Sequence, residues 1–138
     1  MGRILGVDHG EKRIGLALSD PTHLIARPYR TLTYQSLAQI QQEFQAIIAE
    51  MEVERIVVGL PVNLAGKETK QTERVKSFIR HLDVLGLPVT TVDERLSSVA
   101  AVRSLTQQAV KTGHEKARVD ATAAALFLQQ YLDTVRSR

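Results

Sequence analysis

The spacing of hydrophobic residues changes along the chain, and this change limits the folds that the sequence can adopt. Ile14, Leu16 and Leu18 fall at every second position, as expected for a strand with one buried face. Between residues 37 and 51 the apolar side chains follow helical intervals instead, and Ser36 precedes them as a candidate N-cap. A chain that passes from strand spacing to helix spacing in this way predicts an α/β fold.

Further segments continue the alternation of strands and helices. Besides residues 13–19, strands are predicted over residues 4–7, 27–32, 55–59 and 87–92, and further helices over about residues 72–85, 97–110 and 119–135. Gly10 supplies a turn that joins the first two strands as a hairpin, and Pro28 marks the third strand as an edge. Residues 111–118 are basic and lack apolar anchors, so a mobile loop is predicted there.

The order of these elements predicts one α/β domain over residues 1–138 with a mixed five-stranded sheet flanked by helices. Three antiparallel strands form a meander, and two parallel strands connected through helices continue it, which places the first strand near the middle. No repeat, low-complexity tract or long linker divides the sequence.

The composition excludes several kinds of chemistry. The chain has no cysteine, which removes disulfides, thiolate metal sites and cysteine nucleophiles and is compatible with a reducing cytoplasm. The residues before Asp8 leave no room for the apolar core of a secretory signal, and no apolar run approaches membrane-spanning length. We therefore expect a cytoplasmic protein without a membrane partner. The net charge of +3 is compatible with a polyanionic partner but does not require one.

Acidic residues from distant parts of the sequence are expected to meet at one edge of this sheet. Asp8 ends the first strand, Asp93 and Glu94 end the last one, and Asp120 lies in the first turn of the final predicted helix. Each has an ordinary explanation as well, because Asp8 could cap a turn, Asp120 could cap the helix, and Arg95 could pair with either acid beside it.

Convergence of these acids favours a metal site. Carboxylates that lie close together repel one another, so a bound divalent cation is the simplest explanation for a cluster of them. Mg²⁺ or Mn²⁺ held in this way can polarise a phosphodiester and activate the attacking water. Basic side chains around the acids are candidate contacts to a nucleic-acid backbone, with an ordinary solvated surface as the alternative. These candidates are Lys12, Arg13, Lys67, Lys70, Arg95, His114, Lys116 and Arg118.

Four blocks of sequence occur in order along nearly the whole chain. They are Gly6-Val7-Asp8-His9-Gly10 with Lys12-Arg13-Ile14-Gly15-Leu16-Ala17 and Ser19-Asp20, Val58-Gly59-Leu60-Pro61, Val92-Asp93-Glu94-Arg95-Leu96-Ser97-Ser98, and Asp120-Ala121-Thr122-Ala123-Ala124. Together they resemble the YqgF family, also called RuvX. The resemblance implies an RNase H-like fold related to RuvC resolvases, a bacterial cytoplasmic protein, and a nuclease that matures the 5′ end of pre-16S rRNA. It marks Asp8, the Asp93-Glu94 pair and Asp120 as catalytic acids.

The fourth strand departs from the broader RNase H pattern, in which related nucleases often end that strand with an acid. Here it ends Val57-Val58-Gly59. A replacement acid would have to come from the next strand, two strand spacings of about 4.8 Å from the first strand. Glutamate has the longer side chain, so Glu94 is favoured over Asp93 as the metal ligand that acts with Asp8 and Asp120. Asp93 remains the alternative.

Three hypotheses follow from the sequence. The first is a metal-dependent endonuclease acting on structured RNA, with pre-16S rRNA or ribosomal precursor particles as its partner, as a monomer or weak homodimer. The second is a Holliday junction resolvase, which needs two active sites and therefore a symmetric dimer. The third is a non-catalytic nucleic-acid-binding module with the same fold, and the missing acid on the fourth strand is its main support.

Overall fold

The computed structural model describes residues 2–62, 65–96, 99 and 113–137 and shows a five-stranded mixed sheet. The strands are β1 (Arg3–His9), β2 (Arg13–Ser19), β3 (Ala26–Thr33), β4 (Val53–Leu60) and β5 (Val89–Asp93), and the helices are α1 (Leu37–Met51), α2 (Lys70–Leu82) and α3 (Gly113–Arg136). The strand order is β3-β2-β1-β4-β5. β1 pairs antiparallel with β2 and parallel with β4. The predicted sheet, with its first strand in the middle, is confirmed.

The third strand lies at the edge of the sheet, as Pro28 predicts. Pro28 is opposite Ala17 of β2, and the register of the two strands shifts at this point. Proline has no N–H to donate to a ladder, so it is tolerated at an edge or at such an irregularity.

Helix α1 has the bounds that its apolar spacing predicts. The Ser36 side chain accepts a hydrogen bond from the backbone N–H of Gln39, and the Gln39 side chain in turn accepts from the backbone N–H of Ser36. This capping box satisfies backbone donors that the first turn of a helix leaves unpaired.

Helix α2 begins and ends earlier than predicted. Thr69 and Thr72 form a reciprocal cap, so the helix already begins at Lys70. It ends at Leu82, and the residues predicted as its last turn form a 3-10 turn, Asp83–Leu85. The earlier start thus arises from capping by threonine and not from the hydrophobic pattern.

The mobile loop predicted for residues 111–118 is wrong from Gly113 onward, because α3 begins there. Lys116 and Arg118 are good helix formers, and a contact to the sheet fixes the segment, since Thr31 Oγ1 donates a hydrogen bond to the Ala117 carbonyl oxygen at 2.6 Å. Asp120 therefore lies inside the helix and not in its first turn. Lys111 and the helix predicted over residues 97–110, apart from Val99, lie outside the described residues.

The two faces of the sheet are packed by different residues. Helices α1 and α2 cover one face through large side chains, among them Phe44, Ile47, Phe78 and Leu82. Helix α3 covers the other face through a mixture of small and large ones, with Ala124 and Ala125 as well as Leu128 and Leu132 in the cluster that contains Ala17 of the sheet. Among the helices that the structure describes, none combines the length and apolar character needed to cross a membrane.

Candidate functional site

Asp8 lies near the end of β1 on the face of the sheet that α3 covers. Side chains alternate along a strand, and Gly6, two residues earlier, lies directly beneath α3, where an added Cβ would be 2.9 Å from Leu128 Cβ. Asp8 is 9% exposed. An acidic side chain is seldom buried to this extent, which makes Asp8 a candidate for a functional role.

Gly15 brings α3 against the sheet beside Asp8. It is the cross-strand partner of Asp8 in the β1–β2 ladder. A Cβ on Gly15 would lie 2.1 Å from the backbone oxygen of Asp120 and 2.3 Å from its carbonyl carbon. No side chain fits in that space, so glycine is what lets the two backbones approach this closely. The structure thus places Asp120 next to Asp8.

Arg13 holds the Asp120 carboxylate. Its Nε donates a hydrogen bond to Asp120 Oδ2 at 2.8 Å. Arg13 is two residues before Gly15 in β2, so the two residues share a face of the sheet. The side chains of the pair are 31% and 22% exposed. The ion pair therefore lies at a rim that solvent and a substrate can reach.

The acids at the end of β5 lie on the far side of β4. Asp93 pairs with Leu60 of β4, and Glu94 opens a 3-10 turn and is half-buried. Arg95 donates to Asp93 through its backbone N–H and its guanidinium, with Nη2 at 2.6 Å from Oδ2. These hydrogen bonds from Arg95 lower the pKa of Asp93. Asp93 and Arg95 thus form the ordinary ion pair that the sequence also allowed.

An aromatic ring occupies the sheet position between Asp8 and β5. Val7 pairs with Val58, so Gly59 is the β4 residue beside Asp8. An added Cβ on Gly59 would be 2.3 Å from Cε2 of Phe127, which is fully buried. The ring fills the space that an acidic side chain at this position would need. This packing gives a physical reason for the missing acid on the fourth strand.

The acids fit a divalent ion held by two carboxylates better than a complete protein cage. In the described part of the chain, no group of three His, Cys, Asp or Glu residues could hold a metal ion, so Glu94 does not join Asp8 and Asp120 in such a group. Mg²⁺ commonly takes one or two carboxylates and completes its coordination with waters and substrate phosphates. Asp8 and Asp120 match that requirement.

The basic residues named from the sequence are spread over several surfaces. Lys12 is exposed in the turn between β1 and β2, Lys67 and Lys70 are exposed before and at the start of α2, and Lys116 and Arg118 are exposed on α3. Arg13 and Arg95 are held by Asp120 and Asp93, and the side chain of His114 lies outside the described residues. Among these residues, the structure shows Arg13 in direct contact with Asp120.

Uncharged residues that position the site carry no chemical signal of their own in the sequence. Gly15 sets the approach of α3, and Gly59 with Phe127 closes the space beside Asp8. A glycine inside a strand weakens it and often marks close approach of another backbone. That signal was present at Gly15, but which backbone approaches depends on the folded chain.

Holliday junction resolvases are among the solved structures that share this fold. A Thermus thermophilus RuvC structure in complex with a Holliday junction substrate has a TM-score of 0.60 and 14% identity, covering 99% of this chain and 96% of that one. The yeast mitochondrial Holliday junction resolvase Ydc2 has a TM-score of 0.54 and 10% identity, covering 99% of this chain and 81% of that one. The fold is thus RNase H-like, as predicted.

The chain belongs to the RuvX family. The family model, described as Holliday junction resolvase, matches residues 2–134. A protein from Desulforamulus reducens is 42% identical over 133 residues, 96% of this chain and 97% of that protein, and one from Roseiflexus sp. is 37% identical over 136 residues, 98% and 96%. Both are named "Putative pre-16S rRNA nuclease". The family is one of nucleases, hydrolases that cleave phosphodiester bonds.

Proposed function

We propose that the chain is a divalent-metal-dependent endonuclease that processes the 5′ end of pre-16S rRNA. Asp8 and Asp120 form its centre and would hold the ion, and Glu94 or Asp93 would act as a further catalytic acid outside that pair. The observation that carries the proposal is the contact of Gly15 with the Asp120 backbone, which sets two distant acids side by side. The names of the curated relatives support the substrate. In this proposal residues 1–138 act as one domain.

Asp8 and Asp120 would hold Mg²⁺ or Mn²⁺ between β1 and α3. Such an ion, when bound, polarises the scissile phosphate, activates water and stabilises the leaving oxygen. Asp8 provides a rigid anchor because it is buried within the central strand. Arg13 Nε donates to Asp120 Oδ2 at 2.8 Å, so the guanidinium would compete with the ion for that carboxylate.

Positively charged side chains at the rim would bind the phosphates that flank the cleavage point. Lys12 lies in the turn between β1 and β2, and Arg13 begins β2. Lys116 and Arg118 lie on α3. The remaining candidates, which lie farther along the surface or outside the described side chains, are Lys67, Lys70, Arg95 and His114. Neutralising any one of them should weaken RNA binding more than it slows the chemical step.

The test is cleavage of a pre-16S rRNA leader by purified protein with Mg²⁺ or Mn²⁺. Asp8→Asn and Asp120→Asn should each reduce single-turnover cleavage by about 10³-fold, because several kcal/mol of metal-assisted stabilisation is lost. Asp133→Asn is the matched control, since Asp133 is an exposed acid on the same helix. It should cleave at the wild-type rate.

Equal cleavage by wild-type protein and Asp8→Asn would overturn the proposal. The binding-module hypothesis would then apply if Asp8→Ala still binds RNA and calorimetry detects no metal binding to the wild-type chain. Circular dichroism of each variant separates loss of chemistry from loss of folding.

Resolution of Holliday junctions is the second candidate, and the description of the matching family favours it. Two symmetric incisions require two active sites, and therefore a dimer on the junction. Sedimentation of the protein with four-way-junction DNA should then show two chains per junction, and paired nicks should appear on denaturing gels. A strict monomer on the junction contradicts this activity.

A further inference from the structure

We propose that the groove between the edge strand β3 and helix α3 binds a single strand of the nucleic-acid substrate and leads it to the acids. This inference rests on the proposed nuclease function and adds to it a route for the substrate. The groove has a volume of about 380 Å³. Its lining residues are Pro28, Tyr29, Arg30, Thr31, Ala117, Arg118, Ala121 and Thr122.

The groove lies close to the two central acids. Gly15 pairs with Asp8 on one side and with Thr31 on the other, so the three residues form one row across the sheet. At about 4.8 Å per strand, Thr31 is about 10 Å from Asp8 along that row. On the helix side, Ala121 directly follows Asp120. The Asp120 backbone lies over Gly15 in the middle of that row, so the groove runs along the β3 side of α3, beside the helical turn that carries Asp120.

The walls of the groove are held by hydrogen bonds between β3 and α3. Thr31 Oγ1 donates to the Ala117 carbonyl oxygen at 2.6 Å. Farther along the same two elements, the Ala26 N–H donates to Gln129 Oε1 at 2.8 Å. A groove fixed at two points is largely preformed, which reduces the ordering cost of binding. Its volume is that of a small-ligand pocket and suits nucleotide units of one strand.

The charge of the groove complements a phosphate backbone. Two arginines contribute to its lining, and the described lining residues include no acid. Arg30 is already engaged, because its Nη2 donates to Glu43 at 3.3 Å. Arg118 is exposed and has no ion-pair partner in the described part of the chain. An arginine in this state can bind a phosphate through two parallel hydrogen bonds. Arg118 is therefore the main phosphate contact of the groove.

The experiment measures binding of fluorescein-labelled single-stranded RNA by anisotropy, with the Asp8→Asn chain as background so that the probe survives. Arg118→Gln should weaken binding on the order of tenfold and lower the salt dependence by about one phosphate contact. Thr122→Trp fills the groove without changing charge and should weaken binding comparably. Arg80→Gln removes an exposed arginine from α2, which packs on the opposite face of the sheet, and should leave affinity within twofold of the background.

Unchanged RNA affinity and salt dependence in both Arg118→Gln and Thr122→Trp would overturn the proposal that the groove binds RNA. Arg118 is exposed, so Arg118→Gln tests the inference even if Thr122→Trp does not fold. The nuclease proposal fails separately, through absence of cleavage by the chain that retains Asp8. If the chain with Asp8 cleaves RNA but Arg118→Gln and Thr122→Trp bind it normally, only the groove proposal is contradicted. If both substitutions weaken binding but the chain with Asp8 does not cleave, only the nuclease proposal is contradicted.

Discussion

The two faces of the sheet perform different tasks. On the face of α1 and α2, large side chains fill the interior, and Phe44 meets Phe78 edge to face with ring centroids 6.0 Å apart. On the face of α3, glycine and alanine let the helix approach until the Asp120 backbone lies against Gly15. Bulky packing supplies stability, whereas close backbone approach determines where a side chain on the helix will stand. The comparison indicates that the site geometry is set on the α3 face, while both faces contribute to stability, because Phe127 and Leu128 of α3 are fully buried as well.

The same division appears within β1 at two neighbouring residues. Asp8 faces α3, while the ring of His9 stacks on Phe78 of α2, with centroids 4.4 Å apart and planes inclined by 29°. Burial lowers the pKa of His9. One strand end thus contributes an acid to the site and an aromatic ring to the core.

The largest loss of stability should follow from removing a large side chain on the face covered by α1 and α2. Phe44→Ala removes a fully buried ring and should lower the free energy of unfolding by about 3–5 kcal/mol. The cleavage rate per folded molecule should remain close to the wild-type value, because the α3 face is untouched. Urea denaturation gives the stability, and cleavage normalised to the folded fraction gives the activity. A specific loss of normalised activity would break the proposed division between the faces.

Gly15→Ala should damage the site more than the fold. The new methyl group collides with backbone atoms of Asp120 and not with a flexible side chain, so α3 must move. We expect a stability loss of about 1–3 kcal/mol from overpacking and a fall in cleavage of about 10²-fold from displacement of Asp120.

Gly6→Ala is the matched control for this substitution. Its methyl group also meets α3, at Leu128 and Ala124, but away from Asp120. It should lose stability while retaining most of the cleavage activity. If both variants lose activity equally, the contact at Gly15 has no special role in positioning the acid.

Arg13→Gln, on the α3 face, should change stability and metal binding by less than the substitutions above change stability and cleavage. The Arg13–Asp120 pair is partly exposed, so its loss should change stability by less than about 1 kcal/mol. Removal of the guanidinium frees the Asp120 carboxylate, and calorimetry should show a several-fold gain in Mn²⁺ affinity. Arg30→Gln, which breaks the ion pair with Glu43, should leave Mn²⁺ affinity unchanged. Weaker Mn²⁺ binding in Arg13→Gln would mean that the arginine mainly orients the ligand.

The smallest effect should be the acid sensitivity contributed by His9. Its folded-state pKa lies below the ordinary value of 6.5, so the unfolded state takes up a proton first as the pH falls. The stability contributed by the neutral ring is therefore present above pH 6.5 and is lost as the pH falls toward the lowered pKa. Nuclear magnetic resonance should find a depressed His9 pKa, and His9→Phe should show a weaker loss of stability between pH 7 and 5. An ordinary pKa would contradict the stacked, half-buried position.

Most of the sheet could be predicted because its signals are local. Alternation defines β2, and helical spacing with the Ser36 cap defines α1 at both ends. The start of α3 could not be predicted in this way, because the bond from Thr31 to Ala117 that holds it joins residues far apart in sequence. Helix-forming charged residues without apolar anchors look like a loop until that partner is known.

The site was only partly accessible to the same reasoning. Asp8 and Asp120 could be named because topology brings a strand end and a helix to one edge of the sheet. How closely α3 brings them together depends on the absence of a side chain at Gly15, which matters only once α3 lies there. The relation of Glu94 to these acids depends on β4 and Phe127, and no local pattern reveals a ring that fills the space over Gly59.

Because Phe127 packs on Gly59, the effect of a substitution at either position depends on which residue occupies the other. Gly59→Asp alone would drive the new side chain into the ring, and Phe127→Ala alone would leave a cavity in the buried interface of α3. A lineage that acquires an acid on β4 must therefore first replace Phe127 by a smaller residue. Substitution in that order would open a path from this two-carboxylate centre to a third carboxylate beside Asp8.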